Sequence, residues 1–562
     1  MGTRKLLAIG LDGATFDTLL PLVERGHMPN LAALMERGSW GRLASTIPPF
    51  TAAAWSTFIT GRNPGQHGVL SFRDKRDRFH YDLQGTGFVD ARRYDLTIWD
   101  ILSTAGKRVG IVNVPMTYPA HSVNGYMVTG MLTPPHAAQF TYPPELAEAL
   151  GSDYVIDLDF IRDEDSFRIR GFPPKTEMMA QIRHMLSVRA RTCSRLMQEQ
   201  PTDFFMVVFT STDRVQHFFW DDLANMIARP SPNGTADVIE RQIAEYFEEL
   251  DERIGQLTKL AGPSATVLVI SDHGFGPAPT HRFYMNIWLE QLGLLQRRGR
   301  ASFLDLEYWR VMLGRNRHLK ALLRRLMPQA AQDKAKQVAE STSGGIIDWS
   351  RSRAYFVPLY FHVGGVEINL AGARREGIVE PGRDYEILRD RIIHQATQLQ
   401  DPRNGKPIVE LAARREELYQ GPHVESFPDV ILVLDPDYIC SASLAGSSLI
   451  EFHAPMRSGE HRQDGIFIAA GPSIAQRGEL SNLRLLDVPP TILYSMDLPV
   501  PSFFDGQVLK EAFDPAYLSA HPVQSQEWPS IPRAAEQAEQ AGFSEAEQAE
   551  IEGRLRGLGY LD

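Results

Sequence analysis

At 562 residues, with 43% hydrophobic and 23% charged content, the chain has the composition of a globular protein large enough for an extended α/β core plus further modules. Its formal net charge of -11 argues against general nucleic-acid binding, and its two cysteines, Cys193 and Cys440, support neither a disulfide framework nor a thiolate zinc site. Arg4 and Lys5 precede a short apolar run without a cleavage pattern, and no apolar stretch reaches the roughly 20 residues that span a bilayer, so a cytoplasmic enzyme without a transmembrane helix is expected.

In chain order, Leu6–Leu11, Val109–Val114, Phe204–Phe209, Thr266–Ile270, Val430–Leu434 and residues 466–469 read as buried strands, and their spacing predicts a parallel sheet. Residues 72–94 are polar and irregular and would form a rim or a small antiparallel excursion near the site. Over 236–261, Ile239, Ile243, Tyr246, Phe247, Leu250, Ile254 and Leu257 keep helical spacing, which predicts a helix covering the sheet. Residues 290–340 are helix-prone and basic. Two readings fit them: a solvated helical cap, or a surface for anionic substrate or lipid headgroups that would give weak membrane-surface contact. Beyond Asp505-Gly506 the chain is Pro-rich and then helical over 534–556, a tail without a catalytic group. The predicted partition is a core over 1–289, a basic helical insertion over 290–345, the rest of the core over 346–510, and a Pro-rich segment with helical tail over 511–562.

The chemistry sits where strands end. Asp12 closes the first run, Asp213 and His217 follow the third, and Asp272-His273-Gly274 stands directly after 266–270. Parallel strands share one carboxyl edge, so these residues can converge there. Asp213 and His217 are at i and i+4, on one face of a helix, and could grip one cation. His461, ahead of 466–469, adds an imidazole. Mixed carboxylate and imidazole donors suit Zn2+ or Mn2+ better than Ca2+, and there are enough of them for two cations. Thr51 lies where a Pro-rich turn enters a run of small residues. A cation would lower its hydroxyl pKa and make it the candidate nucleophile.

These residues resemble the alkaline phosphatase superfamily, specifically its type I phosphodiesterase/nucleotide pyrophosphatase branch. Asp12-Gly13, Thr51 with Thr60-Gly-Arg-Asn-Pro-Gly-Gln-His-Gly68, Asp213 with His217, Ser271-Asp-His-Gly274 and His461 occur in that group's order. The predicted phosphohydrolase/phosphomutase proteins of the superfamily are most similar, through residues 212–220, Asp272-His-Gly-Phe-Gly276, Asn286-Ile-Trp-Leu289 and the terminal Leu558-Gly-Tyr-Leu561. The resemblance implies a doubly wound α/β fold with a mostly parallel, helix-flanked sheet and a cap insertion. It implies two divalent cations, Zn2+ before Mn2+: one held by Asp213, His217 and His461, the other by Asp12, Asp272, His273 and the Thr51 oxygen. The implied activity is hydrolysis of a small-molecule phosphate ester, a diester or nucleotide-type ester before a monoester, through a phosphothreonine. Phosphomutase action at the same site, or a noncatalytic binding role, are the alternatives. Phe72 departs from the pattern, standing where nucleotide pyrophosphatases carry an asparagine. Arg214 and Gln216 would point off the ligand face, His67 would order a turn, and His281 and His453 are candidate substrate contacts.

Overall fold

Leu6–Leu11 is buried at all six positions, which a strand achieves only when both faces are covered. The computed structural model describes residues 4–74, 87–94, 96–158, 160, 171–228, 237–298, 346–528, 543–558 and 560. Most of the expected basic insertion and the beginning of the expected tail helix lie outside the described residues.

The central sheet contains β1 (Leu6–Leu11), β2 (Ser39–Ala44), β3 (Val109–Val114), β4 (Gly125–Thr129), β5 (Phe204–Phe209), β6 (Thr266–Ile270) and β7 (Asp464–Ala470). They stand in the order β2-β7-β6-β1-β5-β3-β4, and two-residue strands at the edges complete a ten-stranded sheet. The five strands from β6 to β4 are mutually parallel. β7 runs antiparallel to both β6 and β2, so the sheet is mostly rather than wholly parallel.

Helices α1 (Phe16–Glu24), α2 (Thr51–Thr60), α3 (Lys175–Glu199), α4 (Ser211–Ala228) and α5 (Val238–Ala261) flank it. The predicted stripe on α5 is real: Ile243, Tyr246, Phe247, Leu250, Ile254 and Leu257 are buried, each contributing about 2 kcal/mol of gross transfer free energy. Asp251 on the same helix is buried because its carboxylate accepts from the Asn30 and Leu31 amides at 2.9 and 2.8 Å, capping the neighbouring helix.

One strand assignment needs correcting. Val430–Leu434 is a strand, but it belongs to a separate four-stranded antiparallel sheet with Ala354–Tyr360, Val363–Ile368 and Val409–Arg414. A buried apolar run shows that a strand has two covered faces, not which sheet covers them. This second sheet has its own apolar core, which includes Phe356, Val366, Ile392, Leu432 and Trp288. The described end of the chain forms α6 (Glu545–Gly557), started by a reciprocal Ser544/Glu547 capping box.

Candidate active site

Asp12, the Asp213 helix and Asp272 leave the carboxyl ends of the adjacent strands β1, β5 and β6, and all three carboxylates are buried. Asp12 Oδ2 accepts a hydrogen bond from Trp55 Nε1 of α2 at 3.0 Å. Gly13 follows with φ at 68° and donates its amide to Asp272 Oδ1 at 3.1 Å. A Cβ there would sit 2.6 Å from the Phe275 ring, so both conformation and space call for glycine.

α4 begins immediately after β5, and its first turns place His217 Nε2 3.3 Å from Asp213 Oδ1, as the i, i+4 spacing predicts. The strand Gly274–Pro277 leaves Asp272-His273 and pairs antiparallel with Gly459–Arg462, which sets His461 opposite Phe275. The rings of His273 and His461 stack with centroids 3.6 Å apart.

The three histidines share one arrangement. Nδ1 of His217, His273 and His461 lies 3.0, 3.1 and 3.2 Å from the carbonyls of Gly459, Gly274 and Pro49 respectively. A carbonyl only accepts, so each Nδ1 carries a proton, and each Nε2 faces inward, where a neutral ring offers a lone pair. His217 and His461 Nε2 are 3.1 Å apart. Two lone pairs at that distance repel unless a cation or proton lies between them.

His461 Nε2 is also 3.3 Å from Asp213 Oδ1, and His273 Nε2 is 3.3 Å from Asp272 Oδ2 and 3.8 Å from Asp12 Oδ1. Among the described residues, Asp213 Oδ1 and Asp272 Oδ2 are buried without a hydrogen bond of ordinary geometry. Buried carboxylate oxygens are rarely left so, and these point to a missing positive partner. The donors form overlapping groups: Asp12, Asp272 and His273; Asp213, His273 and His461; and His217, Glu460 and His461. This set fits divalent cations such as Zn2+ or Mn2+.

Thr51 is the first residue of α2, and its Oγ1 lies 3.3 Å from His273 Nε2. The hydroxyl therefore abuts the Asp12, Asp272 and His273 group. All seven residues singled out in the sequence converge here.

Burial, then Asp272 and Asp213, push the Asp12 carboxyl well above its usual range, and burial raises Asp272 as well. At Asp213 burial works upward, yet His217 and the touching Arg214 guanidinium hold it well below. Burial, reinforced by His273, drives His461 well down, and burial lowers His217. These shifts favour the neutral form of His217 and His461, the form that binds a cation.

Several neighbours were not anticipated. Arg214 does not face solvent or plain packing: it is buried, contacts Asp213, and forms an ion pair with Asp157 at 2.7 Å. Gln216 is buried too, donating to the Gly13 carbonyl at 2.8 Å. Glu460 lies beside His461, but Arg457 holds one of its oxygens at 2.8 Å and Tyr360 the other. The guanidinium, against the burial that opposes it, brings Glu460 down to about 2. The tail also reaches the site: the Tyr560 hydroxyl is 2.8 Å from Asp213 Oδ2.

The remaining histidines divide. His67 accepts from the Val69 amide and meets the Thr57 hydroxyl, ordering its turn as expected. His281 and His453 belong to the neighbourhood of a small three-stranded sheet, where Arg282 donates to His453, and neither joins the described donor groups. Phe72 is buried edge-on against Phe50 at 4.6 Å, and Arg73 pairs with Glu552 of α6.

A mostly parallel, helix-flanked sheet with carboxylate and imidazole donor groups at its carboxyl edge defines a metal-dependent phosphoric ester hydrolase. The family model for type I phosphodiesterase / nucleotide pyrophosphatase matches residues 6–448, and the chain belongs to that family. Among solved structures it is similar to phosphonoacetate hydrolase from Sinorhizobium meliloti 1021, in complex with phosphonoacetate, at 15% identity and a TM-score of 0.46, covering 88% of this chain and 95% of that one. It is also similar to murine ectonucleotide pyrophosphatase / phosphodiesterase 5 (13% identity, TM-score 0.46, 88% and 95% covered) and its human counterpart (12%, 0.45, 92% and 99%). No curated protein matches the chain. Among the described residues, no helix is long and apolar enough to cross a membrane.

Proposed function

We propose that the chain hydrolyses a phosphate ester through a covalent phosphothreonine at Thr51. Asp213, His217 and His461 would hold one divalent cation, and Asp12, Asp272, His273 and the Thr51 oxygen a second, with Zn2+ favoured and Mn2+ an alternative. The observation that carries this reading is the Thr51 hydroxyl, 3.3 Å from His273 Nε2 at the border of two donor groups. When bound, such cations stabilise charge on phosphoryl oxygens and lower the pKa of an adjacent hydroxyl.

The chain's own residues supply the rest. A threonine is stiff at χ1, so its oxygen keeps one direction, and the first-turn amides of α2 favour an anionic oxygen beside it. Thr51 Oγ1 gives up its proton and displaces the leaving alcohol from phosphorus in line, and water then cleaves the Thr51 oxygen–phosphorus bond, releasing a phosphate monoester from a diester substrate and restoring the hydroxyl. Asp213 and Asp272, each with one oxygen anchored and one presented, hold the donor geometry through both steps.

A diester or nucleotide-type ester is favoured over a monoester. The buried guanidiniums nearest the site are already engaged, Arg214 by Asp157 and Asp213 and Arg457 by Glu460. The extra negative charge of a monoester would find less compensation there.

The test is turnover of p-nitrophenyl phosphate, bis-p-nitrophenyl phosphate and a p-nitrophenyl nucleotide ester by chelated protein reloaded separately with Zn2+, Mn2+ or Mg2+. Cation-dependent cleavage, fastest on the diester or nucleotide ester, is expected. An isomeric monoester formed from a sugar phosphate, with no ester cleaved, would instead indicate a mutase.

A further inference from the structure

Beyond α6, Leu558 is 0% and Tyr560 8% exposed, and both are inserted beside the candidate cation site. The insertion is clasped from two sides. Arg457 donates to the Leu558 carbonyl, and the guanidiniums of Arg457 and Arg214 lie 5.3 and 5.5 Å from the centre of the Tyr560 ring. The ring itself meets His217 edge-on at 5.5 Å and Phe72 at 5.6 Å.

The clasp sets the hydroxyl on one atom. Tyr560 donates to Asp213 Oδ2 at 2.8 Å, and Arg214 Nη1 contacts the same oxygen while lying 2.8 Å from the tyrosine hydroxyl. Asp213 Oδ1, by contrast, stands 3.3 Å from Nε2 of both His217 and His461 and makes no ordinary hydrogen bond. The two oxygens of one carboxylate are therefore distinguished. Oδ2 is held by Tyr560 from far along the chain and by the adjacent Arg214, which leaves Oδ1 as the oxygen facing the imidazoles. Without the hydroxyl, the carboxylate could turn about its Cβ–Cγ bond toward Arg214 and withdraw Oδ1.

We infer that Tyr560, delivered by the C-terminal segment, is a positioning residue that fixes Asp213 for cation binding. The inference rests on the two-cation reading and deepens it: the Asp213 locus is completed by the end of the chain, whereas the Asp12, Asp272 and His273 locus is not. Partners that orient metal ligands from behind typically change affinity by about 10- to 100-fold.

The experiment is calorimetric titration of the chelated full-length protein with Zn2+, comparing wild type, Tyr560→Phe, Asp213→Asn and the double variant, with thermal melts as the control for folding. Tyr560→Phe keeps the ring and removes only the hydroxyl. It should weaken one of two cation equivalents by about 10- to 100-fold and leave the other unchanged. That equivalent should be the one lost in Asp213→Asn, and Tyr560→Phe should add nothing in that background. Two equivalents unchanged in Tyr560→Phe would overturn the inference, as would equal weakening of both, which is what a general packing role would give. A wild-type protein that takes up no cation would overturn the two-cation reading along with it.

Discussion

The carboxyl edge of the central sheet and the four-stranded sheet of residues 354–434 are made from similar buried apolar strands, yet they treat buried charge in opposite ways. In the second sheet charges are matched in place. Glu367 is met by Arg374 and by the Tyr355 hydroxyl at 2.5 Å, and Asp429 by Arg415 at 2.6 Å and the Ile368 amide at 2.6 Å. At the carboxyl edge, Asp12, Asp213 and Asp272 are gathered with three imidazoles, and Asp213 Oδ1 and Asp272 Oδ2 are left over among the described residues. A buried polar group satisfied within the chain contributes to structure; one left open among like charges is placed for something from outside. The two regions touch through Tyr360, whose ring lies 4.8 Å from His461 and 4.5 Å from Phe50.

Substitutions on either side sharpen this contrast. The largest effect is expected at Thr51→Ala, which should lower kcat by about ten-thousand-fold or more while cation content, measured by atomic emission, stays near that of wild type. Next is Arg374→Ala in the second sheet, which removes the guanidinium that meets Glu367 and should cost about 3–5 kcal/mol in urea denaturation, with turnover of the folded fraction kept. The comparison would break if activity vanished with that ion pair.

Asp12→Asn should do the reverse. It removes one of the mutually repelling buried carboxylates and should stabilise the chelated protein by roughly 0.5–2 kcal/mol while abolishing cation-dependent activity. The smallest effect is the pH dependence of that gain. Burial and the neighbouring carboxylates raise Asp12 above its ordinary 3.8, so the folded state keeps a proton that the unfolded state releases. Wild-type stability from this group is thus intact below 3.8 and lost as pH rises through the raised value. The advantage of Asp12→Asn should therefore shrink as pH falls toward 3.8, and urea denaturation across that range reads it directly.

Much of the site was legible because its signal is local. Asp12 and Asp272 each stand within two residues of the end of a fully buried strand, and the Asp213/His217 spacing is a helical turn, so each donor and the common edge could be inferred without tertiary contacts. What escaped depends on partners distant in sequence. Arg214 sits on a face of α4 that periodicity assigns to packing or solvent, but Asp157 and Tyr560 cover it, and Tyr560 lies 346 residues away. β2 was missed because Gly41 and Arg42 interrupt its apolar pattern. Gly41 is there because a Cβ would come within 2.2 Å of the Leu480 carbonyl oxygen. Val430–Leu434 was recognised as a strand and placed in the wrong sheet, because burial of both faces carries no information about which strand lies alongside.

The central claim is that the Thr51 oxygen is the nucleophile. Its most direct test is to quench the Zn2+-loaded enzyme in acid during turnover of bis-p-nitrophenyl phosphate and sequence its peptides by mass spectrometry. A phosphoryl or p-nitrophenyl phosphoryl group on Thr51, absent from the Thr51→Ala variant, is the predicted result. Full turnover by Thr51→Ala with cations still bound would contradict it.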